Sequence, residues 1–213
     1  MKKEGILTVL SGFAGSGKGS VMKKLVEKYP DCYALSISAT TRSPRPGETD
    51  GQEYFFRTED EFKKMIENGE LLEYARYVDH YYGTPRAFVE QQLSLGKNVL
   101  LEIEIQGAMQ VYEQFPDTLL LFTVPPSVDE LVRRLSERGS ESEHEMRARL
   151  ERAIEEADAC EAYDYLIIND DLDACVETTH QIILNEHHRM KYCSAQIDAM
   201  KEDLIKIVKG DTI

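Results

Sequence analysis

A glycine-rich segment between an apolar run and a stretch with helical spacing constrains the fold more than any other feature. The segment GFAGSGKGS covers residues 12–20. The run GILTVLS at 5–11 has the composition of a β-strand, and residues 18–28 have the apolar spacing of a helix. Glycines let backbone N–H groups converge without side-chain clashes, and the helix that follows directs its positive end to the same place. The segment therefore predicts a phosphate-binding loop.

The position after the loop lysine departs from the usual motif G-x-x-x-x-G-K-[ST]. Lys18 is in register to reach the β- and γ-phosphates of a nucleotide, but Gly19 stands where a hydroxyl residue would ligate Mg²⁺. The order G-K-G-S is similar to that of adenylate kinases, in which nucleotide phosphates and water hold most of the metal shell. We therefore predict a working loop in which Ser20 supplies part of the missing metal contact.

Strand and helix patterns alternate along most of the chain, which is typical of βαβ units around a parallel sheet. Further strand candidates cover 33–38, 98–105, 118–124 and 163–170. Three capping boxes predict helix starts, at Thr58/Glu61, Ser127/Glu130 and Ser142/Glu145. A fourth helix is predicted to start with Thr84 as its N-cap and Pro85 as its first residue. Residues 40–83 interrupt the alternation and are rich in Thr, Arg, Pro, Gly and Tyr, which indicates an inserted flap.

The predicted fold class is α/β, with a parallel β-sheet core flanked by helices of the P-loop NTPase type, an inserted flap and a helical lid. The core covers 1–38 and 85–185 with the lid at about 136–150, the insertion covers 39–84, and a C-terminal helical extension covers 186–213. Packing of this extension on the body and packing on a second chain both stay open, and so do a monomer and a homodimer.

Composition excludes several classes of protein. The net charge of −14 argues against a general nucleic-acid binder, which needs a basic surface. No stretch reaches about 18 consecutive apolar residues, so no membrane span is expected. The start reads as a first strand rather than an export signal. Four cysteines without a C-x-x-C pair indicate reduced thiols, and we expect a cytoplasmic protein that contacts neither nucleic acid nor membrane.

Two arginines in the inserted segment form a second basic site. Arg42 and Arg45 lie in a stretch stiffened by Pro44 and Pro46, and two guanidinium groups can clamp one phosphate through paired N–H bonds. Nearby tyrosines could add hydroxyl donors; these are Tyr54, Tyr81 and Tyr82. On these residues alone, a phosphate clamp and a solvated surface loop are equally open.

Five segments after the loop resemble the guanylate kinase family in sequence and in order. They read ATTRSPRPGETDGQEYFF, GELLEYARY, HYYGTP, LLEIEIQGA and IINDDL, and the resemblance covers about residues 5–185. It implies transfer of phosphate from ATP to GMP, and to dGMP, with ATP and Mg²⁺ as cofactors. The small-molecule substrates would be GMP and ATP.

The resemblance also implies roles for individual residues. GMP would be bound by Ser38, Arg42, Arg45, Tyr54, Glu73, Tyr82, Thr84, Glu102 and Glu104. ATP would be bound by Gly12, Phe13, Ala14, Gly15, Ser16, Gly17, Lys18, Gly19, Ser20, Arg138 and Asn169, the last near the adenine. The catalytic residues would be Lys18, Arg42, Arg138 and Arg149, with Arg134 also near the lid. Mg²⁺ would be held by phosphates and water, with Ser20 and Glu102 as candidate ligands.

Three acids are candidates for contacts with the base, the metal or the nucleotide. Glu73 can accept hydrogen bonds from N1–H and the 2-amino group of guanine, whereas adenine offers no such pair of donors. Glu102 and Glu104 are two residues apart on a predicted strand, so both side chains are expected on one face, toward Mg²⁺, its water or the nucleotide. Related guanylate kinases commonly carry aspartate at the position of Glu104.

The lid arginines are expected to place positive charge on the transferring phosphoryl group and to exclude water. Two alternative functions stay open at this point. One is a guanylate-kinase-like domain that has lost catalysis and binds protein partners, although Lys18, Arg138 and Arg149 are all present. The other is a kinase for another nucleotide or for a phosphorylated sugar, against which Ser38 and Glu73 together argue.

Overall fold

The apolar runs of the sequence become strands of two sheets. The computed structural model describes residues 4–77, 79–137 and 143–209. Their strands are β1 (Leu7–Gly12), β2 (Tyr33–Leu35), β3 (Ala39–Thr40), β4 (Phe55–Phe56), β5 (Leu71–Tyr77), β6 (His80–Pro85), β7 (Asn98–Glu102), β8 (Leu119–Val124) and β9 (Tyr165–Ile168). The helices are α1 (Lys18–Lys28), α2 (Glu59–Glu67), α3 (Arg86–Ser94), α4 (Ile105–Gln114), α5 (Val128–Glu137), α6 (Glu143–Asp158), α7 (Leu172–Glu186) and α8 (Met190–Lys209), with a 3₁₀ turn at Cys160–Ala162.

The larger sheet is parallel throughout and has the order β2-β7-β1-β8-β9. Helices cover both of its faces, which is why its central strands are almost continuously apolar. On one face Leu25 of α1 and Val176 of α7 are buried in one core cluster. On the other face Val89 of α3 and Val111 of α4 are buried in a second cluster. The predicted α/β class with a parallel, helix-flanked sheet is confirmed.

The smaller sheet is built by the segment in which the sequence predicts a flap. Its order is β4-β3-β6-β5, and α2 packs on it through Phe62, which is fully buried with Ala39 and Leu71. The predicted capping box of α2 is present, because the Thr58 N–H donates to Glu61 Oε2 at 2.7 Å and the Glu61 N–H donates to Thr58 Oγ1 at 3.2 Å. The assignment of residues 39–84 as a separate GMP-binding insertion stays a prediction.

The strand predicted over 98–105 ends earlier, at Glu102. Pairing of β7 with β1 stops at the pair Leu10 and Glu102, so the following residues have no strand partner. Glu104 instead becomes the N-cap residue of α4 in an extended conformation. The prediction that Glu102 and Glu104 share one strand face is therefore wrong. Similarly, the strand predicted over 33–38 covers only Tyr33–Leu35.

The predicted N-cap at Thr84 is also wrong. Thr84 lies within β6, and Pro85 is the N-cap residue of α3. The Thr84 hydroxyl does not cap α3; it donates to the buried carboxylate of Glu73. The capping box predicted at Ser127/Glu130 shows one of its two hydrogen bonds. The Glu130 N–H donates to Ser127 Oγ at 3.2 Å, whereas the Glu130 carboxylate accepts from Arg133 and Arg134. Ser142 of the third box lies outside the described residues.

The chain ends in two consecutive helices, α7 and α8. The first packs against α1, whereas the second begins beside the amino-terminal end of β8 and extends away from it. Among the residues that the structure describes, no helix combines the length and apolar character needed to cross a membrane.

Candidate active site

The predicted site residues converge where the parallel strands of the larger sheet end. Gly12 ends β1 and Glu102 ends β7, and this carboxyl edge is where open α/β sheets bind ligands. Three cavities follow each other along the edge. The loop cavity, about 310 Å³, is lined by Gly12, Lys18, Arg149 and Arg152 among others. The central cavity is lined by Lys18, Ser38, Tyr54, Thr84 and Glu102. The Glu73 cavity is lined by Glu73, Tyr82, Gly107 and Arg152.

These cavities form one cleft, because they share lining residues. Lys18 lines both the loop cavity and the central cavity, and Glu104 lines all three. The structure therefore brings the glycine loop and the predicted base-reading acid into the same cleft.

The glycine loop is held against its neighbours more closely than any side chain would allow. Residues 12–20 connect β1 to the first turn of α1. Gly12 has φ of 141°, and a Cβ there would lie 2.0 Å from the carbonyl oxygen of Thr123. Gly17 has φ of 85°, and a Cβ there would lie 2.4 Å from Nδ2 of Asn169. Only glycine fits these two positions without displacing β8 or the Asn169 side chain.

Two polar side chains brace the loop from the adjacent elements. Asn169, which is buried, donates from Nδ2 to the carbonyl of Ser16 at 2.8 Å. Arg134 donates to Ser16 O at 3.4 Å and to Asn169 O at 2.9 Å, and Glu130 accepts from its Nε at 2.6 Å. Both residues therefore position the loop backbone. The adenine contact expected of Asn169 stays a prediction.

The carboxylate of Glu102 occupies the space beside Gly19. A Cβ at position 19 would lie 3.1 and 3.3 Å from the two carboxylate oxygens of Glu102, which is tighter than ordinary contact. A serine or threonine here would require the exposed Glu102 carboxylate to shift by a few tenths of an ångström. Lys18 Nζ donates to Gly12 O at 3.3 Å, so it lies along the loop. Ser20 is exposed on the first turn of α1.

The arginine of the flap is already paired with an acid that the sequence analysis did not single out. Arg42 Nη2 donates to Glu48 Oε1 at 2.9 Å, and Glu48 Oε2 accepts from the Arg45 N–H at 2.7 Å. This hydrogen bond raises the pKa of Arg42 and lowers that of Glu48. The guanidinium of Arg42 also lies over the ring of Tyr54, 5.3 Å from its centroid. Glu48 thus shapes the loop that presents Arg42, while the Arg45 side chain is exposed.

The acid expected to read the base is buried and held by one hydroxyl. Glu73 is 6% exposed, and its Oε1 accepts from Thr84 Oγ1 at 2.7 Å. Burial raises the pKa of Glu73, and the hydrogen bond from Thr84 opposes that rise. A Cβ at Gly107 would lie 3.0 Å from Oε2, so the glycine in EIQGA makes room for the carboxylate. An isolated glycine within a helix often has a packing reason, and Gly107 of α4 is such a glycine.

Helix α6 contributes a further arginine to the cleft, which the sequence did not single out. Arg152 of α6 donates to the carboxylate of Glu104, and its Nε lies 3.8 Å from Glu156. It lines both the loop cavity and the Glu73 cavity, and stands three residues after Arg149 on the same helix. Burial raises the pKa of Glu156, while Lys18 acts in the opposite direction. Arg138 lies outside the described residues.

Comparison with known proteins gives a consistent result over most of the chain. The family model described as guanylate kinase matches residues 4–186. A guanylate kinase of Caldanaerobacter subterraneus subsp. tengcongensis is 50% identical over 190 residues, which are 89% of this chain and 92% of the relative. A guanylate kinase of Oceanobacillus iheyensis is 47% identical over 203 residues, which are 95% and 98% of the two chains.

A solved structure agrees with these sequence relatives. The crystal structure of guanylate kinase from Anaplasma phagocytophilum has a TM-score of 0.68 and 35% identity, and the match covers 87% of each chain. The resemblance seen in the sequence is thereby confirmed. Neither the inactive scaffold nor a kinase for a different acceptor finds support in these relatives.

The buried carboxyl of Glu73 makes a prediction about stability against pH. Because its pKa is raised above the ordinary value of 4.5, the folded protein holds this proton more tightly than the unfolded chain does. The stabilising contribution is complete below the unfolded pKa and is lost as pH rises through the folded pKa. Glu73→Gln removes the titration and keeps an acceptor for Thr84. We expect the variant to gain stability over wild type as pH rises above 4.5.

Urea denaturation at a series of pH values measures this difference. The matched control is Glu113→Gln, which changes an exposed acid and is expected to show no such trend. A stability difference between Glu73→Gln and wild type that does not change with pH would contradict the interpretation.

Proposed function

We infer the function from one premise: the chain belongs to the guanylate kinase family. Guanylate kinases transfer the γ-phosphoryl group of ATP to GMP and release ADP and GDP. The chain is accordingly a nucleoside monophosphate kinase with ATP and GMP as its substrates. The roles of individual residues below are our proposal. It rests mainly on one observation: Lys18 and the buried Glu73 line adjoining cavities of one cleft, and Glu104 lines all three of these cavities.

Residues 12–20 bind the donor phosphates in this proposal. The backbone N–H groups of the loop and the start of α1 supply fixed positive dipoles, and Lys18 adds a mobile charge for the β- and γ-phosphates. The braces from Asn169 and Arg134 to the Ser16 carbonyl support this role, because they fix the loop before a nucleotide arrives. A preorganised loop loses little conformational entropy when it binds.

Arg42, Arg45, Tyr54 and Tyr82 hold the phosphate of GMP. The contact between Arg42 and Glu48 supports a partner exchange, in which phosphate oxygens take over guanidinium N–H groups now bound to a carboxylate. Ser38, Thr84 and Glu73 read the guanine. Thr84 donates to Oε1 of Glu73, and Glu73 lines its cavity together with Gly107, which lies close to Oε2. These contacts support a role for Oε2 as the acceptor for the base.

Arg149 and Arg138 act from the lid on the transferring phosphoryl group. Arg149 lines the loop cavity beside Lys18. Phosphoryl transfer requires in-line positioning and positive charge on the equatorial oxygens, and it needs no protein nucleophile because a GMP phosphate oxygen attacks directly. Closure of α6 over the loop also excludes water, which would otherwise hydrolyse ATP.

The residues present fit a Mg²⁺ ion that is held mainly by phosphates and water. Within the described ranges no group of three or more His, Cys, Asp or Glu side chains could cage a metal. One hard oxygen ligand, the exposed Glu102 carboxylate, lies beside Gly19 at the loop, and this suits an ion that keeps several waters. Bound Mg²⁺ would neutralise charge on the phosphates. Glu102 would contact it directly or through water, and Ser20 and Glu104 stand nearby as second contacts.

Two further parts of the proposal concern substrate range and location. The roles assigned above involve the base and the phosphate and none involves the 2′-hydroxyl, so we extend the acceptors to dGMP. The four cysteines are free thiols, which fits a reducing compartment and supports a cytoplasmic location.

The acceptor assignment predicts the outcome of an activity assay. ADP formation with purified chain, MgATP and one of GMP, dGMP, AMP or UMP should be rapid with the two guanine nucleotides only. Glu73→Gln should lower kcat/KM for GMP by about 10- to 100-fold, because the amide cannot accept from both guanine donors. The KM for ATP should change little. Turnover with AMP in preference to GMP, or an equal loss for both substrates, would end the base assignment.

Removal of the loop lysine tests the donor side. Lys18→Ala should lower kcat by about 100-fold or more, because a charge aimed at the developing phosphate charge is lost. Thermal stability should be unchanged within error. Lys23→Ala, on the exposed side of the same helix, is the matched control and should retain full activity. A near-normal rate for Lys18→Ala would mean that the loop does not bind the donor.

The ion pair between Arg152 and Glu104 predicts a non-additive effect on substrate use. Both side chains are about half exposed, so the pair contributes little to folding. Arg152→Ala leaves Glu104 as an uncompensated negative charge at the junction of the cavities, and we expect the KM for GMP to rise about 3- to 10-fold. Glu104→Ala in the same chain removes that unpaired charge, so the double variant should lose less than the sum of the two single losses.

A matched control for this double-mutant cycle is available on the same helix. Arg147 forms a comparable exposed pair with Glu151, and Arg147→Ala should leave the kinetics unchanged. Steady-state kinetics of wild type, the two single variants and the double variant measure the coupling between Arg152 and Glu104. Purely additive effects would contradict a shared role at the junction.

A further inference from the structure

Helix α6 directs a carboxylate into the loop cavity at a position where its pattern predicts an apolar side chain. The inward face of α6 begins with Met146, Leu150 and Ala153, which share an apolar cluster with the glycine loop. Glu156 follows three residues later on the same face and lines the loop cavity. Ile154 of the same helix is 66% exposed. An acid that lies inward while a large apolar side chain faces solvent indicates a functional constraint rather than packing.

The surroundings of Glu156 connect it to the loop lysine. Its side chain is 13% exposed, and Arg152 Nε lies 3.8 Å from its Oε1, beyond hydrogen-bond distance. The closer contact of Arg152 is with Glu104, so pairing with Arg152 does not by itself account for Glu156. Burial raises the pKa of Glu156, and of the two cations beside it Lys18 lowers that pKa more than Arg152 does. The two acids nearby, Glu104 and Glu155, raise it further.

The charge of Glu156 acts against every phosphate that enters the loop cavity. In the proposed function this cavity receives the β- and γ-phosphates of ATP beside Lys18. A carboxylate in such a place weakens donor binding, so its presence there requires a separate explanation. Discrimination between anions provides one, because the repulsion from a single carboxylate grows in proportion to the charge of the ligand.

The donor nucleotide occurs in two forms that differ mainly in charge. Metal-free ATP carries a net charge of about −4 and MgATP about −2, so one carboxylate repels the first about twice as strongly at equal distance. Three cations line the same cavity, and they favour the more highly charged form; these are Lys18, Arg149 and Arg152. Metal-free ATP is nevertheless the wrong ligand, because its phosphates lack the neutralising charge that phosphoryl transfer requires.

We propose that Glu156 is a specificity-determining residue of the donor site, which selects MgATP against metal-free ATP. The carboxylate acts on the ligand through its charge, and its largely buried position beside Lys18 limits screening by water and salt. This role rests on the proposed function of residues 12–20 as the donor site. It concerns the affinity for each form of the nucleotide and requires no change in the transfer step.

Isothermal titration calorimetry of the full-length protein tests the proposal. ATP is titrated with EDTA present or with excess Mg²⁺, at about pH 8, where ordinary carboxyl groups are ionised. Wild type should bind MgATP about 10-fold or more tightly than metal-free ATP. Glu156→Gln keeps the shape of the side chain and removes its charge. It should lower this ratio about fivefold or more, mainly through tighter binding of metal-free ATP.

Two further variants separate charge from packing. Glu155→Gln removes an exposed acid one residue away on α6 and should keep the wild-type ratio. Glu156→Asp keeps the charge and should retain most of the discrimination. Any of three results would overturn the proposal: an unchanged ratio in Glu156→Gln, an equal loss in Glu155→Gln, or a Glu156→Asp protein that behaves like Glu156→Gln.

The same titrations distinguish a failure of this role from a failure of the donor-site assignment. If wild type binds neither form of ATP, or if Lys18→Ala binds both forms as tightly as wild type, residues 12–20 are not the donor site and both proposals fail. If Lys18→Ala weakens ATP binding while Glu156→Gln leaves the ratio unchanged, only the role of Glu156 fails.

Discussion

Close packing of the glycine loop against the ends of two neighbouring strands determines the geometry of the whole site. Gly12 approaches the Thr123 carbonyl, and Gly17 approaches Asn169, at distances that exclude a Cβ. The Ser16 carbonyl then accepts from both Asn169 and Arg134. Because these contacts come from β8, α5 and the end of β9, the loop conformation is a property of the assembled sheet. The lysine and the cleft are positioned only once these strands are in register.

Two arginines that line or flank the cleft are already paired with carboxylates. The chain carries a net charge of −14, yet its substrates are polyanions, so the field of the whole protein does not favour them. Arg42 is paired with Glu48, and Arg152 with Glu104, within the described part of the cleft. In the site proposed above, the phosphate of GMP would replace the Glu48 carboxylate at Arg42. Such a site gains specificity for ligands whose oxygens match the guanidinium geometry, and it discriminates against anions that offer fewer contacts.

Patterns within short segments predicted the fold well, and contacts between distant segments account for what was missed. The loop, the parallel sheet and the capping box at Thr58 follow from local spacing. Glu104 was assigned to a strand because its neighbours are apolar, but strand length depended on where pairing with β1 stopped. Thr84 precedes a proline as a helix N-cap would, but its hydroxyl donates to the buried carboxylate of Glu73, eleven residues away. The roles of Arg152 and Glu48 were not predicted for the same reason, because tertiary structure determines which side chains they contact.

The burial of Glu73 links stability to specificity in one residue. A carboxylate with a single hydroxyl donor in an apolar surrounding is costly to ionise, which is why burial raises its pKa. A base that brings two further donors relieves that cost, whereas a base without them leaves it in place. In the base-reading role proposed for Glu73, this cost of ionisation would supply the discrimination between purines. Gly107 and Thr84 maintain this state, one by leaving space for the carboxylate and the other by fixing its orientation.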